Sequence, residues 1–408
     1  MIKKIKIALD ELRDLKSKET VENYEENRTE DDMDTVFEYP LNDETYDSAD
    51  VGVKDLLNVL PYSLLFIPLL KKVTVFIHSQ KGYQKFLVQK KGKIQGDGIE
   101  IITISKEEQI YENEQISKTK TEDTTFIMNS KGRLNVVWPI SQKDGITRIQ
   151  RTPVNLPKLF CSFPLIGSEN FYQPMVINSG EFYPNEPRNT IFLRNFHSIE
   201  VKKNRELLIK ANYLFNELVE YAINHKFEDF FNLFTGMPID NPYIDHRWVV
   251  DSTYTPRIKT LLSQPLVKTM TGTTAPIKSM FFPKAGTPAL RKELWMLYRK
   301  YFHDNIVIEQ ELEKWYEVLC ETQYAKSIDK FIEEIAAAKC LANMTQFEDD
   351  QSRIVFLNEL ISFIKKSGEK DPKSKVSLSK NAIIPNIKGV FKSHNELRSD
   401  REKNIPEE

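Results

Sequence analysis

"VINSGEFYPNEPRNTIF", Val176–Phe192, stands where the character of the chain changes. It leaves a short apolar run, Met175-Val176-Ile177, turns polar, and reaches Asn189-Thr190-Ile191, which reads as a helix start. Pro184 and Pro187 fix the backbone on either side of Asn185-Glu186, and Arg188 follows directly. Upstream the chain reads as strands and turns. Downstream it reads as helices. The stretch is the hinge of an α+β reading: a mixed, mainly antiparallel sheet domain, then a mostly helical domain with short hairpins.

Working back from it, "QPMVINSG" and "KLFCSFPLIG" predict short strands. "TTFIMNSKGRLNVVWPIS" predicts a hairpin around Asn129-Ser130-Lys131-Gly132. "KFLVQKKGKIQGDGIEIITISKE" predicts strand, turn, strand, and "KKVTVFIHS" one more strand by its β-branched content. Tyr46–Leu60 predicts an amphipathic helix with Val53, Leu56, Leu57 and Leu60 on its apolar side, ended or kinked by Pro61 and lying against the sheet. Residues 1–18 predict a short helix.

Working forward, "NRELLIKANYLFNELVEYAINH" places Leu207, Leu208, Ala211, Leu214, Phe215, Leu218 and Ala222 on one face of a helix. Further helices are expected at 226–234, 289–302, 308–321, 326–342 and 352–366. The aromatic stripe Phe227, Phe230, Phe231, Phe234 reads as core. "PLVKTMTGTTAPIKSMFFP" (265–283) and "NAIIPNIKGVFKSHNELRSDREKNIP" (381–406) share a short strand, a glycine turn, a Lys-Ser pair and a closing proline. They predict a repeated hairpin. The expected organisation is residues 1–35 as helix and acidic linker, 36–200 as the α+β domain, and 201–408 as the helical domain.

With 40% hydrophobic and 28% charged residues, the composition is that of a soluble globular protein. The net charge of −2 offers no global attraction for nucleic acid, and no basic cluster carries interleaved aromatics. Charge is uneven: Glu22–Asp50 holds 12 acidic residues against Arg28 alone, which reads as a solvated linker. Cys161, Cys320 and Cys340 are far apart and odd in number, which points to reduced thiols, a cytoplasmic protein and no metal site. Leu64–Leu70 is too short to cross a bilayer, so no membrane partner is expected. The phosphate-binding patterns G-x-x-x-x-G-K-[ST] and G-x-G-x-x-G and the G-x-S-x-G elbow are absent.

The spacing Ser179, Asn185, Arg188, with Glu181 between, resembles the catalytic-loop region of the heat-shock-protein-90 chaperones, which are GHKL-type ATPases. "TVFEYPLNDETYDSADVGVKDLLNVLPYSLLFIPLLKKVTV", "LPKLFCSFPLIGSENFYQPMVINSGEFYPNEPR" and "IIPNIKGVFKSHNELRSDREKNIP", in that order, resemble bacterial sacsin-like ATP-binding proteins. The resemblance runs from about Thr35 onward. It implies a transducer, or middle, domain whose Arg188 and Asn185 are catalytic and whose Ser179 contacts the nucleotide. In such proteins ATP and Mg are bound by an N-terminal domain with an asparagine-bearing helix and a D-x-G-x-G loop. Neither occurs in residues 1–408. The resemblance therefore implies a GHKL nucleotide-binding domain as partner, in trans or as a missing N-terminus, and a protein client. It also implies that this chain does not hydrolyse ATP alone.

The chemistry suits an arginine. Phosphoryl transfer spreads charge over the γ-phosphoryl oxygens, and a guanidinium can meet it with two parallel hydrogen bonds. Against this stands a non-catalytic role, with Arg188 paired to Glu181 or Glu186 or simply lying on the surface. The alternative function is a non-catalytic protein-interaction module or a truncated fragment of such an ATPase.

Overall fold

The computed structural model describes residues 43–79, 82–96, 98–112, 115–171, 173–194, 197–235, 244–303, 305–370 and 381–397. The expected helix at 1–18, the acidic linker up to residue 42 and the proline-bounded exit at 398–406 lie outside them. The chain divides between Leu56 and Leu57. Before the division, the described residues are the first turns of helix α1 (Asp43–Phe66), where Lys54 pairs with Asp50 at 2.6 Å.

From Leu57 onward the fold is α+β. A nine-stranded sheet has the order β1-β2-β3-β4-β5-β9-β7-β8, with β6 paired to β5. Its strands are β1 (Lys72–Ser79), β2 (Gly82–Gly96), β3 (Ile99–Glu112), β4 (Gln115–Lys131), β5 (Leu134–Lys143), β6 (Ile146–Ile149), β7 (Leu159–Cys161), β8 (Phe163–Pro164) and β9 (Val176–Ser179). All pairings are antiparallel except β7 with β9. The β4–β5 hairpin pairs Lys131 with Leu134 and turns through Gly132 at φ 64.

The middle of the sheet is covered on both faces, which is why its sequence reads as apolar runs rather than alternation. Phe126 of β4 meets Tyr62 of α1 edge-on at 4.9 Å, and Phe160 of β7 meets Phe66 at 5.0 Å. Their neighbours point the other way. Trp138 meets Phe215 of helix α2 (Ile199–Asn224) at 5.4 Å, and Asn129 donates to the Leu214 carbonyl at 3.3 Å. Away from this sandwich β4 is bare: its first nine residues are exposed.

Pro61 neither ends nor visibly stops α1, which continues to Phe66. An internal proline costs about 3 kcal/mol. Tyr62, Leu64, Leu65 and Phe66 are all buried, at about 1.5–3 kcal/mol for each side chain, so burial wins. Leu57 and Leu60 are buried as expected, but Leu56 is exposed.

Beyond α2 the described helices are α3 (His246–Val249), which runs through a π-helical stretch (Val250–Tyr254) into α4 (Thr255–Ser263), then α5 (Pro288–Phe302), α6 (Leu312–Leu319), α7 (Ile328–Ala336) and α8 (Asp350–Lys370). No sequence signal predicted α3–α4. The helix expected at 226–234 is a single 3-10 turn, Phe230–Leu233, because the backbone of Glu228 is committed to the sheet: it accepts from Ile149 and donates to Thr147. The four phenylalanines are core. The helix expected at 326–342 stops early, since Cys340 leaves it to bridge Val390.

That bridge belongs to the second hairpin, β12 (Ile384–Pro385) with β13 (Phe391–Lys392); the first is β10 (Pro265–Lys268) with β11 (Thr274–Pro276). Both turns close alike. Thr269 N–H donates to Thr273 O and Gly272 N–H to Thr269 O; Asn386 N–H donates to Val390 O and Gly389 N–H to Asn386 O. Gly272 and Gly389 share a left-handed φ, 78 and 73. Each hairpin leads to a 3-10 turn, but the Lys-Ser pairs are not equivalent: Lys278-Ser279 ends one turn and Ser393 caps the other. One apolar core runs from the α2 face of the sheet through all these elements to Phe391.

Candidate functional site

The strand β9 ends at Ser179, and the chain then makes the loop that carries Arg188. Asn185 organises it. Its side-chain oxygen accepts from the N–H groups of Asn189 (3.0 Å) and Thr190 (3.1 Å), and its amide donates to Asn189 Oδ1 at 2.6 Å. Its backbone N–H donates to Thr190 O, and its carbonyl accepts from Arg188 N–H at 2.9 Å. Asn185 is buried, as a side chain with every polar atom engaged inside the loop can be.

The helix expected to start at Asn189 begins only at Ile199. Instead Ile191 pairs back on Pro184 as an isolated bridge, so residues 184–191 close on themselves. Asn185 supplies the reason: it captures the N–H groups of Asn189 and Thr190 that a helix start would have left free.

Two distant residues hold the loop's base. Asn204, on the buried face of α2, accepts from Tyr183 N–H at 2.9 Å and donates to the carbonyls of Tyr183 (2.8 Å) and Phe192 (3.0 Å). Gly167 packs so close that a Cβ there would lie 2.8 Å from Asn189 Cβ, and its φ of +115 excludes other residues as well. Sequence reasoning missed both. A polar Asn204 in the apolar stripe with Leu207, Leu208 and Ala211 was the available signal.

Arg188 itself adopts a left-handed φ of 54, unusual for an arginine, and its side chain is exposed. Among the described residues its guanidinium makes no hydrogen bond or ion pair. Glu181, which could have claimed it, pairs with Lys203 at 2.9 Å, and that contact holds the Glu181 carboxyl below its ordinary value. Cys161 lies within Arg188's field; burial pushes the thiol up and the guanidinium partly offsets it.

Ser179 is fully buried, and its Oγ accepts from Glu181 N–H at 3.2 Å. It shapes the turn out of β9, and no part of it is open to a nucleotide. The three residues singled out by spacing thus fall on one strand-to-loop unit, with Arg188 alone facing outward.

Beside this loop, strands β2–β5 and the end of α1 line a cavity of about 930 Å³ whose wall includes Asn178 and Gly180. Its charge is mostly positive: Lys90, Lys91, Lys93 and Arg133 against Glu100. Lys91 and Lys93 are taken by Asp123 (2.6 Å) and Glu100 (2.5 Å). Lys90 donates to Ile67 O at 3.2 Å; burial and then the neighbouring Lys93 push its amine down. The floor is a polar chain, Ser162 N–H to Asn178, Asn178 to Asn135, Asn135 to Ser130.

Among the described residues no group of three or more His, Cys, Asp or Glu side chains could hold a metal ion, and no helix is long and apolar enough to cross a membrane. Comparison with known proteins finds no matching family model, no matching curated protein and no matching solved structure.

Proposed function

We propose that this chain is the middle and following part of a sacsin-like, chaperone-type GHKL ATPase, and that Arg188 reaches the γ-phosphate of ATP held by a separate nucleotide domain. The observation that carries the reading is Arg188: an exposed guanidinium without a partner among the described residues, on a backbone held in a left-handed conformation by a dedicated hydrogen-bond network. Left-handed non-glycine residues cost of order 1–3 kcal/mol and gather where orientation matters. The exposed guanidinium fits a phosphate, which it can grip with two prongs. ATP and Mg belong to the partner domain in this reading; this chain contributes the arginine, and Asn185, Asn204 and Ser179 position it. The basic cavity beside the loop favours a polyanionic neighbour. The helical part passes the cycle to a protein client.

The test mixes the chain with a purified GHKL nucleotide domain carrying the D-x-G-x-G loop and measures ATP turnover. The chain alone is inactive, and the mixture is active. Arg188→Ala then lowers kcat strongly while nucleotide binding persists, because the contact is made in the transition state. Arg188→Lys restores little. Turnover unchanged by Arg188→Ala would leave the chain a non-catalytic interaction module.

A further inference from the structure

A second cavity, of about 450 Å³, is lined by Arg151, Lys158, Glu169 and Gln173 together with residues of α4 and α6. Its volume is that of a small-molecule pocket. Phe234, Ile258, Leu262 and Val318 give it apolar wall, and Arg151 and Lys158 give it positive charge. Glu169 and Glu317 also line it.

Lys158 is 4% exposed. Its ammonium donates to Pro153 O and, at 2.9 Å, to Leu156 O, and it makes no ion pair among the described residues. An ammonium has three donors, so among the described residues one is without a partner, on a side chain that lines the cavity. Burial pushes the amine down to about 8, against the opposing field of Glu169. Behind the wall lies Arg257, 1% exposed. Its Nη1 donates to Gln173, itself a wall residue, and to Asn212 Oδ1 at 3.4 Å. Its Nε and Nη2 have no hydrogen-bond partner among the described residues. Tyr254, from the π-helical stretch, lines the same cavity and holds its ring 5.9 Å from this guanidinium. Two buried cations with no carboxylate bonded to either among the described residues are an arrangement a protein ordinarily avoids.

We propose that this cavity binds a small monoanion with an apolar body, of the class of medium-chain carboxylates, its anionic group on the free donor of Lys158 and its body along Ile258, Leu262 and Val318. One buried ammonium is a point charge suited to one anionic group. Glu169 and Glu317 repel a polyanion, so a nucleotide does not suit this site. The site is independent of Arg188.

The experiment uses the whole chain and octanoate as probe, followed by calorimetric titration and by the melting temperature. Octanoate binds with one-to-one stoichiometry and raises the melting temperature; octylamine does neither. Lys158→Met, which keeps the stem and removes the charge, weakens octanoate by about tenfold or more. Leu262→Trp, which fills the cavity and leaves Lys158 in place, abolishes binding, and it carries the test should Lys158→Met fail to fold. ATP does not displace octanoate. The proposal is overturned if wild type ignores octanoate, if octylamine binds as well, if either folded variant binds octanoate like wild type, or if ATP competes.

Discussion

Among the described residues Arg188 and Arg257 both lack a carboxylate partner, and the two regions that carry them treat that lack in opposite ways. Arg188 stands in water, where an unpaired guanidinium costs nothing; the expense lies in its backbone, at φ 54. Arg257 sits in ordinary helix, and the expense lies in its burial, which pushes the guanidinium down to about 10. One region spends stability on where a side chain is aimed, the other on which charge is kept inside. Orientation without a local partner points outward to another molecule; charge without a partner points to something that enters.

The largest expected effect breaks the first half of the contrast. With the nucleotide domain present, Arg188→Ala lowers turnover by about 10³-fold or more, the range of arginines supplied from a second domain. Urea unfolding of the same variant stays within about 0.5 kcal/mol of wild type, as for an exposed, unpaired side chain. A large stability loss would make Arg188 structural.

The second half breaks at Arg257. Arg257→Ala loses its stem packing and its bonds to Gln173 and Asn212 and costs about 3 kcal/mol in urea unfolding. Arg257→Met keeps the stem, removes the buried charge and costs clearly less. If methionine is as harmful as alanine, the charge is not the burden.

Gly167→Ala sharpens the claim that the Arg188 loop is held from outside. Its Cβ would strike Asn189 and its φ is unsuited to alanine, for a loss of about 2 kcal/mol. A displacement of about 1 Å costs about 10²-fold in rate, so turnover falls although Arg188 is untouched. Normal turnover in a folded Gly167→Ala chain would show that the loop tolerates displacement.

A smaller effect lies in pH. The native Lys158 amine is lowered to about 8 from its ordinary 10.5, so the unfolded chain holds more protons between those values. Stability therefore rises with pH across that window: the burial penalty is complete below about pH 8 and relieved above it. Subtracting the Lys158→Met curve isolates this rise from the other lysines and tyrosines. A flat difference would show the amine to be solvated. The smallest change is the stability of Arg188→Gly, which loses turnover as Arg188→Ala does yet stays within about 1 kcal/mol of wild type in urea unfolding, on the favourable side, as left-handed strain is relieved.

The strands were legible because β-branched runs and glycine punctuation are local signals; every expected strand from Lys72 to Ser179 is present. The helices with clean apolar stripes, α2 and α5, were legible for the same reason. The errors cluster where backbone groups are claimed from afar. Glu228 is taken by β6 and Cys340 by a hairpin some fifty residues on; the error at Asn189 is local, since the side chain of Asn185, four residues back, takes its N–H. The α3–α4 segment carries a buried arginine and a π-helical stretch, and both blur the helical period.

Alone, the sequence determined the alternation of strands and helices, the twin glycine turns and the position of Arg188 between two fixed prolines, since each depends on residues a few places apart. Only the tertiary structure decided that Arg188 faces outward without a partner among the described residues, that Ser179 is sealed inside, and that Asn204 and Gly167 hold the loop. It alone brought Lys158 to a cavity with Arg257 behind the wall. Those facts depend on partners tens of residues away, and periodicity in a sequence reports which face of an element is apolar, not what that face will meet.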